Sequence, residues 1–258
     1  MLTFDEYKNR FKNVALERDG GIIQVTLHTD GGPLIWGQNA GTHAEMANAL
    51  SAVSQDSENR VIIITGAGDQ FCGPPASPDT FPRGGPERWE LLRVNGARIL
   101  NSLLDMPGPV IGCINGPASR HAQIPLLGDV VLAASHATVQ DSAHFPNHIV
   151  PGDGVQLIFP LLMGWNRGRY FLLTGQTLSA TQLLELGLVS EVMQLDKLLP
   201  RAWELARQMA DQDPLLLRYS RQAMCAGLRD LLHRHLGHGL ALEGLAGLSV
   251  SMTSGRSS

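Results

Sequence analysis

A chain of 258 residues can bury a full hydrophobic core, either as one α/β domain or as a core with a smaller appendage. Its 20 basic and 24 acidic residues include no long basic run, which excludes the electrostatic footprint of a nucleic-acid or acidic-membrane binder and leaves small molecules as the expected partners. Cys72, Cys113 and Cys225 are odd in number, far apart and without a C-x-x-C pair, so they make neither a disulfide framework nor a thiolate metal site, and a reduced, cytoplasmic setting fits.

At the N-terminus, Met1-Leu-Thr-Phe-Asp-Glu-Tyr-Lys8 carries acids where a secretory signal needs a basic and then an apolar run. No stretch of the sequence reaches the length of a membrane span, so a soluble protein is expected. Residues 21–28 predict a strand, closed off by Asp30-Gly31-Gly32-Pro33, with Leu34-Ile35-Trp36 as a short partner. Ala40, Ala44, Ala47, Leu50 and Val53 recur at helical spacing and predict a helix over residues 39–54, which leads into the apolar strand 61–65. A long loop then runs from Gly66 to Pro86, broken by Pro74, Pro75, Pro78 and Pro82; a loop of that length is expected to carry a functional or lid role. Pro86 opens a helix through Trp89, Leu92, Leu100 and Leu103, and apolar strands follow at 109–114 and 129–134.

Apolar strands alternating with helices predict an α/β fold whose sheets are covered. From Val155 onward the pattern is helical, with a capped helix between Ser179 and Gly187 and a brief strand over 188–193. Beyond Asp196 three helices are expected, divided at Asp213-Pro214 and at Gly227 and followed by a polar, mobile Ser-rich tail. This organises the chain as a core over residues 1–195 and a C-terminal helical region over 196–258, without tandem repeats or low-complexity linkers.

The chemistry concentrates in Asp141-Ser-Ala-His144-Phe-Pro-Asn-His148-Ile-Val-Pro151-Gly-Asp153-Gly154, preceded by Asn115-Gly-Pro-Ala-Ser-Arg120-His121. Turn-rich backbone of this kind displays catalytic groups on a rigid scaffold. His144 has the titration range of a general base, and Asp153 can fix its tautomer. Loop histidines beside a helix-capping aspartate are the blander account of each residue taken alone. His144 and His148 are four apart, but Pro146 between them argues against a helical ligand pair. His233, His235 and His238 share no helical face and read as surface residues. Serine-hydrolase chemistry lacks a G-x-S-x-G, and Gly66-Ala-Gly68 lacks the remainder of a phosphate-binding motif. No metal or other cofactor is therefore expected.

Five segments together resemble the crotonase (enoyl-CoA hydratase/isomerase) superfamily: residues 61–68 with Phe71, residues 109–118, residues 128–134, Ile149-Val-Pro-Gly-Asp-Gly154 and residues 173–189. They run in family order over nearly the whole chain. The resemblance implies a crotonase-like spiral of β-β-α units and a C-terminal helical region that makes trimer contacts, with trimers often stacked into hexamers.

The chain also departs from that pattern. Most of the family polarises an acyl-CoA carbonyl with two backbone N–H groups. Pro75, which has no N–H, aligns with the first donor position and His121 with the second, where the family shows glycines. The two glutamates of the hydratases are replaced by Ile124 and by the Ala143-His144 region. Residues 144–154, 164–176 and 199–207 are similar to one branch in particular, the β-diketone hydrolases typified by 6-oxocamphor hydrolase. That similarity implies retro-Claisen hydrolysis of a β-diketone to a keto acid without CoA or metal, with His144 and Asp153 as a dyad that activates water. His121 stands across the pocket to stabilise the oxyanion or enolate, as a neutral ring or an imidazolium, while Trp36, Glu243 and Phe81 line the pocket. Trp36 would offer its indole N–H to a carbonyl. The alternatives are a CoA-dependent hydratase, isomerase or thioesterase, and an inert trimeric scaffold.

Overall fold

The computed structural model describes residues 2–36, 41–73 and 85–254. Phe81 and Pro75, singled out above, lie outside the described residues.

The chain enters through a short helix, α1 (Phe4–Tyr7), and a hairpin of β1 (Val14–Asp19) and β2 (Ile22–Leu27). A type I′ hairpin turn, which matches strand twist, needs positive φ at both central positions, and Gly20 (φ 57°) and Gly21 (φ 80°) supply it. The charged Glu17-Arg18-Asp19 hides β1 from a reading of apolar runs, and as an edge strand it needs to bury only one face. After β3 (Leu34–Ile35) come α2 (Thr42–Gln55), β4 (Val61–Gly66), β5 (Cys72–Gly73), α3 (Pro86–Leu104), β6 (Val110–Ile114), α4 (Gln123–Leu126), β7 (Val130–Ala134) and β8 (Thr138–Val139). The remainder is α5 (Val155–Met163), α6 (Trp165–Thr174), β9 (Leu178–Ser179), α7 (Ala180–Glu185), β10 (Glu191–Met193), α8 (Leu195–Ala210) and α9 (Pro214–Ser254).

The main sheet has the order β1-β2-β4-β6-β7-β10, parallel throughout except for the β1–β2 hairpin. Every residue of β4 and β6 is buried, as continuous apolar runs in a covered parallel sheet require. α8 packs on β2, β4, β6 and β7 through Leu198, Ala202 and Ala206.

A second, smaller strip positions the site. β3 pairs in parallel with β5. Cys72 of β5 bridges in parallel to Ala118, and Ala118 in parallel to Val139 of β8. β9 closes the strip antiparallel to β8. Neighbours that run in one direction place their following residues at one edge, so the chain leaving β3, Ala118 and β8 delivers Trp36, His121 and His144 to the same place.

Two expectations change. The short strand at residues 34–35 pairs with β5 rather than with the strand at 21–28, because Asp30-Gly31-Gly32-Pro33 carries the chain off the main sheet. Beyond Asp213 there is one helix, not two. Gly227 weakens a helix by about 1 kcal/mol relative to alanine but does not remove a backbone hydrogen bond, so α9 continues through it to Ser254. Near its start, the buried Arg221 anchors α9 by bonding Asp129 Oδ2 at 2.8 Å and the carbonyls of Leu103 and Leu104 at 2.9 and 2.8 Å.

Candidate active site

His144 leads a single 3-10 turn, Phe145–Asn147, whose geometry is fixed by hydrogen bonds from the N–H groups of Asn147 and Ile149 to the His144 carbonyl. The preceding segment is bound to the strip by Gln140 N–H to Ala118 O and Ser142 N–H to Ser119 O. The ring itself is held by Asp141, whose Oδ1 lies 2.7 Å from Nδ1, with both side chains buried. Asp153 approaches the other nitrogen, with Oδ1 at 3.6 Å from Nε2, and Glu243 Oε1 lies 3.9 Å from the same atom. The tautomer-fixing contact expected of Asp153 is therefore made by Asp141, because only the residue three positions upstream reaches the Nδ1 side of the ring.

Asp153 sits between two histidines. Its Oδ2 accepts a hydrogen bond from Gln123 Nε2 at 2.9 Å and lies 3.7 Å from His121 Nδ1. The same Gln123 amide lies 3.3 Å from His121 Nδ1. An amide nitrogen can only donate, so Nδ1 of His121 accepts and its proton resides on Nε2, leaving that N–H as a donor. His121 has φ of 54°, a left-handed conformation uncommon outside glycine and costly enough to mark a constrained site.

Trp36 forms the wall behind His121, with ring centroids 3.7 Å apart. Its indole N–H donates to His43 Nε2 at 3.1 Å, so the N–H expected to face a carbonyl is already engaged. His43, on α2, also meets the His121 ring edge-on at 5.6 Å. Arg120 donates to the Trp36 carbonyl at 3.4 Å and ties that wall to the strip.

Glu243 reaches the site because α9 touches the loop before α5 at two glycines. A Cβ on Gly152 would stand 2.2 Å from Gly239 O and 2.9 Å from Glu243 Cβ, and one on Gly239 would stand 2.5 Å from Gly152 O. Backbone meets backbone there, and Glu243 follows one helical turn later on the same face.

Burial and charge act in opposite senses on these groups. Burial draws the His144 imidazolium down, but the charges of Asp141 and Asp153, the Asp141 hydrogen bond and the charge of Glu243 outweigh it and hold the group at about 10. Burial pushes the Asp153 carboxyl upward against the pull of His144. Burial also raises Glu243 to about 8, with the nearby Asp153 and Asp141 charges adding to the effect. His121 moves well below its usual range, through burial first and then the charges of His43, Arg120 and His144, so it is a neutral ring and not an imidazolium. Burial lowers His43 to about 4.

The structure thus gathers His144, Asp153, His121, Trp36 and Glu243 of the residues expected from sequence. His148, His233, His235 and His238 are exposed and take no part. Sequence reasoning misses three participants. Asp141 has a signal, as an acid three residues before His144. Gln123 follows His121 by two. His43, a single histidine on a helix, has none.

A spiral of parallel strands with this edge site defines a crotonase-superfamily enzyme. The enoyl-CoA hydratase/isomerase family matches residues 17–242, and the chain belongs to it. A 1,2-epoxyphenylacetyl-CoA isomerase from Escherichia coli K12 is 31% identical over 83% of this chain and 82% of its own length. A short-chain-enoyl-CoA hydratase from Clostridium acetobutylicum is 26% identical over 84% and 82%. Among solved structures, a β-diketone hydrolase from the cyanobacterium Anabaena sp. PCC 7120, bound to (S)-3-oxocyclohexyl acetic acid, is 40% identical. It covers 95% of this chain and 98% of its own, with a TM-score of 0.91.

Proposed function

We propose that this enzyme hydrolyses a carbon–carbon bond of a β-diketone, giving a keto acid. The observation that carries the reading is the pairing of His144, Asp153 and Glu243 on one side with the Nε2–H of a neutral His121 on the other. A ketone has no good leaving group, so its cleavage needs an activated water, a stabilised oxyanion and an enolate. Water held against His144 Nε2, Asp153 and Glu243 gives its proton to the carboxylate side of that cluster and adds to one carbonyl. The bond to the central carbon then breaks toward the second carbonyl, and the His121 N–H, set in a buried site, stabilises the enolate oxygen. Proton return to the central carbon completes the addition of one water.

The likeness to the Anabaena β-diketone hydrolase supports this reading over a CoA-dependent one. So do the buried Ile124, which the resemblance sets at one glutamate position of the hydratases, and the Ala143-His144 region at the other. The family resemblance further supports a homotrimer or a dimer of trimers, and exposed Leu215, Leu216, Tyr219 and Met224 on α9 are apolar surface such a contact can cover. The test is incubation with a panel of cyclic 1,3-diketones and acyl-CoAs, with products followed by mass. Ring opening with gain of one water supports the proposal; turnover of the thioesters alone overturns it.

A further inference from the structure

His144 is faced on both nitrogens by carboxylates: Asp141 from the segment after β8, Asp153 from the loop before α5, and Glu243 from α9. His121, across the site, is neutral, and Arg120 adds its charge near Asp141. A neutral imidazole has a single N–H and would present a lone pair to a carboxylate on one side, whereas the imidazolium donates on both. The contacts are unequal. Asp141 makes a direct hydrogen bond at 2.7 Å, while Asp153 and Glu243 stand at 3.6 and 3.9 Å, close enough for charge but too far for a direct bond. Asp153 Oδ1 and Glu243 Oε2 are buried and make no hydrogen bond to the described residues.

Building on the proposed reaction, we propose that Asp141 is the positioning residue of His144, which keeps both ring protons, and that Asp153 and Glu243 take the proton from the attacking water. The water O–H breaks and its proton passes to the carboxylate pair as the oxygen bonds to the carbonyl carbon. The electron pair of the cleaved carbon–carbon bond is delocalised onto the second carbonyl as an enolate. The carboxylic acid then returns the proton to the central carbon, with no change of oxidation state in the protein. His144 remains a cation throughout, donating through Nε2 toward the reacting oxygen and through Nδ1 to Asp141. The direction of its shift, upward despite burial, agrees with this assignment.

The deciding measurement is nitrogen–proton NMR of protein labelled with 15N-histidine, with His144 assigned by its loss in His144→Ala. The wild type should show both His144 ring nitrogens protonated from pH 6 to pH 8, with an exchange-protected Nδ1–H. Asp141→Asn should lower the midpoint of that titration by at least about one pH unit, the shift a lost charge partner commonly produces. With substrate, Asp141→Asn should lower kcat by about 10- to 100-fold, the usual worth of a group that orients a functional histidine, with little change in KM. Asp153→Asn and Glu243→Gln should instead move the acidic limb of the pH profile. A single ring N–H on wild-type His144 at pH 7 overturns the proposal, as does an unchanged titration in Asp141→Asn. The NMR experiment uses no substrate, so it stands whether or not a diketone proves to be cleaved. Should Asp141→Asn fail to fold, the wild-type spectrum still decides.

Discussion

Replacing Gly239 by alanine should damage the enzyme through geometry alone, because this residue touches none of the reacting groups. A Cβ there would stand 2.1 Å from Gln156 Nε2 and 2.5 Å from Gly152 O. The Gln156 side chain can swing away, at the cost of its hydrogen bond to Gly152 O at 3.0 Å and its acceptance from Gly154 N–H at 2.8 Å. The Gly152 carbonyl is backbone and must retreat by about 1 Å to reach ordinary contact distance. Overpacking of this kind costs about 1–3 kcal/mol, the two lost hydrogen bonds add about 1–3 kcal/mol, and alanine in a helix interior returns about 1 kcal/mol, so the net loss is about 1–5 kcal/mol. The fold survives. The movement separates α9 from the loop carrying Asp153, however, and misplacing a reacting group by about 1 Å can lower turnover by about 10²-fold. Gly237, on the same helix and with open space for at least 4 Å around the point a Cβ would occupy, is the control. Gly237→Ala should raise Tm by about 2–4 °C and leave turnover unchanged. Thermal melts of both variants, alongside product release from a cleaved diketone, read the two effects separately. Wild-type turnover in Gly239→Ala would refute the claim that the glycine contact sets the position of Glu243.

His144→Ala should lower turnover by about 10²–10⁴-fold in a folded protein, and near-wild-type rates would remove it from the chemistry. His121→Ala should slow cleavage by about 10²–10³-fold, equally at pH 6 and pH 8, because a ring that is neutral at both contributes no titration of its own. The kcat/KM profile should rise toward about pH 8 as the buried Glu243 loses its proton, and fall toward about pH 10 as His144 loses its own. A single rise near pH 6.5 would instead report an isolated histidine acting as the base.

The fold is legible because β4 and β6 are almost wholly apolar, are buried at every position and alternate with helices, a pattern that leaves few architectures. β1 is not legible, since Glu17-Arg18-Asp19 mask its alternation and only the Gly20-Gly21 turn marks it. The reach of α9 is obscured at Gly227 because a glycine that ends a helix and one that merely weakens it look alike in sequence. At the site, ring and carboxylate identities are readable, but the pairing is not. Asp141 and Asp153 are both aspartates near His144 in sequence, and choosing between them requires knowing which face of the ring each reaches. His43 acts through a ring delivered by another element, a contact that leaves no local pattern, and nothing in the two-residue spacing of Gln123 from His121 says that its amide turns back to the ring.

The proposed function also predicts a reaction this chain should not catalyse. In the family pattern, a thioester carbonyl is polarised by backbone donors and a water is handled by two glutamates. The resemblance sets Ile124, which is buried in the core, at one glutamate position, and the Ala143-His144 segment, whose imidazole is bonded to Asp141, at the other. The resemblance places His121 where the family has glycine, and its left-handed backbone brings a bulky ring against Trp36. Under the proposed function the expected substrate is a compact apolar ring with two carbonyls, which would pack on Trp36 and present its carbonyls to His121 and His144. An enoyl-CoA presents one carbonyl and a long thioester arm, and would find neither acid–base glutamate. Hydration of a short enoyl-CoA should therefore stay at background under conditions in which a cyclic diketone is opened, as followed by loss of the enoyl absorbance. Efficient hydration would return this chain to the CoA-dependent reading, and it would mean that the His121 position still offers the thioester its backbone N–H.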